Sequence, residues 1–171
     1  MKLLDRLFRP SHDDRAAVRP LWQAVIAAAR EPRWYAELGV ADSVAGRFDM
    51  ITAILALVLL RLEYEPARAL DCARLTELFI ADMDGQLRDI GVGDLMVGKH
   101  MGRLVSVLGG RTGALRLALA LDDDQALAEV VRRNMTMADE GRAEALAAAL
   151  RAFSAGLARR ECAQVLDGEL E

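Results

Sequence analysis

Apolar residues recur every three or four positions along almost the whole chain, the spacing that lines one face of an α-helix. Leu21, Val25, Ala28 and Ala29 mark a first helix over 13–30. Pro32 opens a short helical turn, PRWYAELGV, carrying Trp34, Tyr35 and Leu38. Asp42 or Ser43 is placed to cap the next helix by accepting a bond from a free backbone N–H. In that helix Val44, Phe48, Ile51, Leu55, Leu59 and Leu62 step by three or four, while Ile54, Leu57 and Val58 fill the other sides. A helix that is apolar all round is enclosed by others, so residues 44–62 are predicted to form the centre.

Pro66 suits the first turn of a further helix, where its missing N–H costs nothing. Cys72, Leu75, Phe79, Met83, Leu87 and Ile90 give that helix an inner stripe, with Arg74, Asp84 and Arg88 toward solvent. Gly91 and Gly93 then make a tight turn, and Asp94 caps a helix over 95–108 whose Val97, Met101, Leu104 and Leu108 face inward. Gly98, with Gly102, lets a neighbouring helix come close. Gly109-Gly110 is predicted to stop this helix. A short helix follows over 112–120, another starts at Asp122, and a long one over 141–165 carries Leu146, Leu150, Phe153, Leu157 and Val165. No stretch alternates with the β period. The prediction is an all-α fold, a single-domain compact multi-helix bundle of about six to eight helices. Residues 1–12 are read as an N-terminal basic amphipathic tail, 13–166 as the domain and 167–171 as a C-terminal tail.

Composition narrows the function classes. The 171 residues are 53% hydrophobic and 28% charged, which marks a globular chain. A net charge of −4 argues against nucleic acid as the main ligand. Cys72 and Cys162 form no C-x-x-C and read as small buried hydrophobes in a reducing compartment. His12 and His100 share no ligand spacing with them, so no metal site is expected. The longest uncharged run, MITAILALVLL, has 11 residues and is too short to span a bilayer. The opening MKLLDRLFRP lacks the pattern of a secretory signal, which implies a cytoplasmic protein. Leu3, Leu4, Leu7 and Phe8 share one face of a short basic turn that suits weak contact with the inner face of the cytoplasmic membrane.

Residues 93–100, GDLMVGKH, match the G-x-x-x-x-G-K skeleton of a phosphate-binding loop. That loop needs a preceding strand and a hydroxyl after the Lys; here a helix precedes and His100 follows. The match is accidental. None of Ser11, Ser43, Ser106 and Ser154 sits in G-x-S-x-G, and neither His has a nucleophile beside it, so no catalytic residues and no cofactor are expected.

Asp82, Asp84, Arg88, Asp94 and Lys99 still gather around one corner. There the stretch FIADMDGQLRDIGVGDLMVGK, residues 79–99, resembles the signature F-x-D-M-D-x-x-L-R-E-M-G-V-G-D-L-x-V-G-K of the ubiquinol–cytochrome c chaperone family. A second stretch, WYAELGVADSVAGRFDMI at 34–51, is similar to that family's W-Y-x-x-L-G-V-x-D-x-x-x-G-R-F-D-M, in the same order and spacing. The resemblance covers residues 15–160. It implies an all-helical assembly factor for the ubiquinol–cytochrome c reductase, of a bacterial kind, that binds newly made cytochrome b. It brings with it the ribosome exit and a small partner protein. The chain departs from the pattern where relatives carry His after F-D-M, having Ala53, Ile54 and Leu55, and where they continue V-G-K with basic residues, having His100 and Gly102.

On this reading Asp82, Asp84, Arg88 and Lys99 grip a partner, and Gly91, Gly93, Asp94 and Gly98 shape the turn. Arg47 and Asp49 flank Phe48; a charged contact with the 82–99 corner and a contact with the client both fit them. Met83 and Met101 are expected in the core, and Met135 and Met137 in a loop where they offer an adaptable apolar surface. Two other classes fit the same residues: a general helical adaptor, and a peripheral membrane-binding protein working through the N-terminal turn.

Overall fold

The computed structural model describes residues 15–89 and 97–170, the side chains of 86–89 and 97–100 excepted. A 3-10 turn at Ala16–Val18 leads into α1 (Arg19–Ala29), then α2 (Pro32–Ala36) and α3 (Val44–Glu63). A second 3-10 turn at Pro66–Arg68 precedes α4 (Ala69–Asp89). Then come α5 (Val97–Leu119), α6 (Asp124–Asn134), a 3-10 turn at Glu140–Arg142, α7 (Ala143–Ala158) and α8 (Cys162–Leu166). The all-α bundle predicted from periodicity is what forms.

α3 is the hub and packs against α1, α4, α5, α7 and α8. Met50, Ile54, Leu55, Leu57, Val58 and Leu62 are buried on all its sides. Each such side chain contributes about 2 kcal/mol by leaving water. Its cap is Ser43, whose Oγ accepts from the Gly46 N–H at 3.2 Å. The aromatic pair before it closes α1: Trp34 Nε1 donates to the Ala28 carbonyl and Tyr35 OH to the Ala29 carbonyl, both at 2.7 Å. Those carbonyls lie in the last turn of α1, where no intrahelical donor remains.

Three boundaries differ from the periodicity reading. α5 runs straight through Gly109-Gly110, joining two predicted helices into one. Leu104, Leu108, Leu115 and Ala118 continue one buried face across the glycines, so burial on both sides outweighs their weak propensity. Neither glycine has the positive φ of a helix stop; only Gly39 and Gly168 do among the described residues. The predicted last helix instead breaks at Arg159-Arg160, because Glu161 and Gln164 form a capping box that starts α8. α6 begins at Asp124, with the Asp123 carboxylate accepting from the Gln125 N–H at 2.8 Å.

One long-range tie crosses the bundle. Val40 and Met137 form an isolated antiparallel bridge. Beside it Ala41 N donates to the Thr136 carbonyl at 2.9 Å and Ala138 N to the Gly39 carbonyl at 2.8 Å. Gly39 has φ +78°, and a Cβ there would lie 2.7 Å from the Arg142 Cβ, so the crossing admits only glycine.

Candidate functional site

Phe48, at the N-terminal end of α3, and Phe79, in the middle of α4, meet with ring centroids 6.3 Å apart. Trp22 of α1 packs edge-on against Phe79 at 6.1 Å. The two signature stretches are thus joined by an aromatic contact. Phe48 also lies 5.7 Å from the Arg111 guanidinium.

The charged residues on either side of Phe48 part company. Residues two apart on a helix point in different directions. Arg47 is exposed and its Nε donates to Asp42 at 2.7 Å. That bond holds the Asp42 carboxyl below its ordinary range and raises the Arg47 guanidinium. Asp49 turns inward and is only 6% exposed. Its Oδ2 accepts from the Thr136 N–H at 2.8 Å and from the Thr136 hydroxyl at 2.6 Å, and its Oδ1 accepts from Arg111. Arg111 also donates to the Thr52 hydroxyl, which itself donates to the Asp49 carbonyl at 2.9 Å. Among the described residues the charged contact of Asp49 is with Arg111 on α5. A buried carboxylate is tolerated here because every acceptor site facing inward has a donor.

Of the corner residues, Asp82 is exposed and Asp84 half-buried on α4. Arg88 lies in the last turn of α4, and Gly98 and Lys99 in the first turn of α5, by backbone. Gly91, Gly93 and Asp94 fall outside the described residues, as do the expected helix bounds at Ile90 and 95 and the N-terminal turn of Leu3 to Phe8. Met83 is in the core as expected, but Met101 is 41% exposed. α5 is turned so that Leu104 and Leu108 carry its inner face there. Met135 and Met137 do not form a free apolar surface; both are half-buried against the core, held by the crossing at Val40. Cys162 is buried and Cys72 half-buried. Burial pushes the Cys72 thiol up to about 11 and also raises Cys162, so neither is a reactive thiolate at neutral pH.

The sequence reading missed a groove at the other end of α3. The last turns of α3 and α5 and the second half of α7 enclose an open hollow of about 860 Å³. Leu57, Leu60, Leu119 and Ala155 supply apolar lining; Tyr64, Arg61, Arg116 and Arg151 supply the rest of its character. Tyr64 is 84% exposed. Arg61 donates to the Leu157 carbonyl at 3.1 Å, the Arg160 carbonyl at 2.6 Å and Cys162 Sγ at 2.8 Å. It thereby caps the C-terminal end of α7, with its closest carboxylate, Glu65, 4.0 Å away. Arg116 pairs with Glu63, and Arg151 with Asp124. An aromatic beside an arginine at the end of an otherwise apolar helix was the available signal. Among the described residues no cluster of His, Cys, Asp and Glu suits a metal ion, and no helix is long and apolar enough to cross a membrane.

Comparison with known proteins places this arrangement. The family described as ubiquinol-cytochrome C chaperone matches residues 36–171. A crystal structure of the Cbp3 homolog from Brucella abortus is similar with a TM-score of 0.79 at 32% identity, over 97% of this chain and 93% of that one. Comparison with curated proteins gives no match.

Proposed function

The chain belongs to the ubiquinol-cytochrome C chaperone family, and from that premise we propose that it assists assembly of the ubiquinol–cytochrome c reductase by binding newly made cytochrome b. The observation that carries this reading is the match over residues 36–171, which takes in all of the stretch at 79–99 and most of the stretch at 34–51. The role is binding, with no covalent step. Cytochrome b must present long apolar helices before it is packed, and such surfaces aggregate unless covered. A rigid helical body covers a client segment and lets go when haem or the next subunit takes its place.

We assign the client-facing role to the corner of Asp82, Asp84, Arg88 and Lys99, joined by Arg47, whose side chain is exposed beside Asp42. Asp49 leaves that set for an internal one, because its carboxylate is already filled by Arg111 and Thr136. The place of action is the cytoplasmic side of the membrane, near the ribosome exit, with a small partner protein. The test is the b-type haem signal of membranes, read by reduced-minus-oxidised spectra with and without this gene. A specific loss, restored by the wild type and not by an Arg88→Ala, Lys99→Ala double variant, is the expected result. An unchanged b-type signal on deletion would sink the reading.

A further inference from the structure

Gly109-Gly110 lies inside α5 and has no task in the fold described so far. A Cβ on either glycine would meet nothing within 4 Å, and neither has a positive φ. Neither close packing nor a left-handed turn therefore demands glycine there. Glycine is the weakest helix former after proline, and helices bend where small residues are paired. The two halves of α5 on either side of the pair are held differently. From Arg111 onward the helix is fastened. Arg111 donates to Asp49 and Thr52 of α3, Arg116 pairs with Glu63, and the Leu119 carbonyl accepts from Arg151 of α7 at 3.4 Å. Thr112, Leu115 and Ala118 are buried. Before the glycines, Leu104 and Leu108 are buried, while Met101 and Val105 stand 41% and 47% exposed. Among the described residues no side chain of 101–110 forms a hydrogen bond or ion pair with another helix. Apolar contacts have no direction, so the two leucines hold this half against the bundle without fixing its tilt.

We propose that Gly109-Gly110 is a hinge, about which the N-terminal half of α5 tilts on a body fixed from Arg111 onward, so that the corner between α4 and α5 opens and closes. The corner has one side on each helix. Asp82, Asp84 and Arg88 belong to α4, and Lys99 to the first turn of α5. Lys99 lies 10 residues before Gly109, about 15 Å along the helix. A bend of about 20° at the glycines carries its Cα about 5 Å, close to one helical turn. Such a movement changes the gap between Lys99 and the α4 side while the Asp49–Arg111 joint stays shut. The anchor sits directly after the glycines, which confines the bend to the half that carries the corner. The use of this motion in taking and releasing a client rests on the corner's assignment as the client-facing surface; the motion itself does not.

The experiment places nitroxide labels on Met101→Cys in α5 and Ala148→Cys in α7, both exposed, and measures the distance between them in the purified full-length chain by pulsed electron resonance. The chain without introduced cysteines sets the background from Cys72 and Cys162. The distances should spread over about 5 Å, and adding Gly109→Ala with Gly110→Ala should narrow that spread at least about twofold. The stiffened protein should melt no lower than the wild type, yet restore less than about half of the b-type haem signal to a deletion strain. A gain in rigidity joined to a loss of activity is what a purely structural role for the glycines would not give. Gly102→Ala and Gly113→Ala, which lie on the exposed side of the same helix away from the hinge, should restore the full signal. Equal spreads with and without the two alanines would overturn the proposal. So would a full b-type signal from the stiffened protein, or an equal loss with Gly102→Ala and Gly113→Ala, which would mark a covered face instead of a hinge. Failure of the cytochrome b reading shows separately, as an unchanged b-type signal on deletion, and leaves the distance measurement to decide the hinge.

Discussion

At its N-terminal end α3 carries Asp49 and Thr52, whose polar atoms are used up inside the molecule by Arg111 and Thr136. At its C-terminal end it carries Arg61 and Tyr64, one tied to carbonyls and the other standing in solvent above a groove. Both ends contain an arginine and a half-apolar setting. The difference is what answers the charge. A buried carboxylate at the first end locks α3, α5 and the loop after α6 together. At the second end two carbonyls and a thiol hold the guanidinium, with the Glu65 carboxylate 4.0 Å away. An arginine thus serves a closed joint in one place and lines an open groove in the other.

The largest effect should come from breaking the closed joint. Asp49→Ala leaves the Arg111 guanidinium without its anion in a place almost shut to water, at a cost of about 3–5 kcal/mol. Urea unfolding at neutral pH checks it, and an Asp49→Leu, Arg111→Met double variant should regain most of the loss. A double variant no better than the single would show that the pair contributes more than mutual neutralisation. Next in size is Gly46→Ala at the same end. Its Cβ would lie 2.0 Å from the Ala41 carbonyl oxygen, and the backbone shift should cost about 1–3 kcal/mol. Gly110→Ala, in contrast, meets nothing within 4 Å and sits inside α5. It should stabilise by about 0.5–1 kcal/mol, because the unfolded chain loses freedom that glycine had. A melting temperature that falls instead would mean that this face of α5 is already occupied.

At neutral pH the smallest effect is expected at Cys72, whose contribution emerges only in alkali. Burial, with Glu63 adding to it, raises its thiol from 9.0 to about 11. The folded state therefore holds its proton where the unfolded chain releases it. The resulting stability is whole below pH 9.0 and is lost as the pH rises through about 11. Comparing urea midpoints of wild type and Cys72→Ala across that window isolates the contribution, since the variant should decline less steeply. Parallel curves would exclude it.

Most of the bundle was legible because its signal is local. The stripe Leu55, Leu59, Leu62 and the stops at Pro32 and Pro66 need only a few neighbours to be read. The Gly109-Gly110 stop failed because glycine only weakens a helix, and the burial that rescues α5 comes from other helices. The break at Arg159-Arg160 rests on the local capping box of Glu161 and Gln164 together with Arg61, a residue far away in sequence, which caps α7. Asp49 shows the same limit at the candidate site. Its charge and spacing were visible, but its partners are 62 and 87 residues away, so neither its direction nor its burial follows from the stretch around it. The groove is further still from local signals, since three helix ends make it and none shows it alone.

The bridge between Val40 and Met137 bears on how the chain comes off the ribosome. These residues are about 100 apart, so the crossing closes late, after the entropy of a long loop has been overcome. Synthesis adds about 5–20 residues each second, so once Val40 appears, Met137 follows only after roughly 5–20 s. Through that interval α3 has emerged while α6 and α7 have not, and its all-round apolar surface has only α1, and later α4 and α5, to cover it. A member of a chaperone family is thus itself, for some seconds of every synthesis, an apolar helix only partly covered.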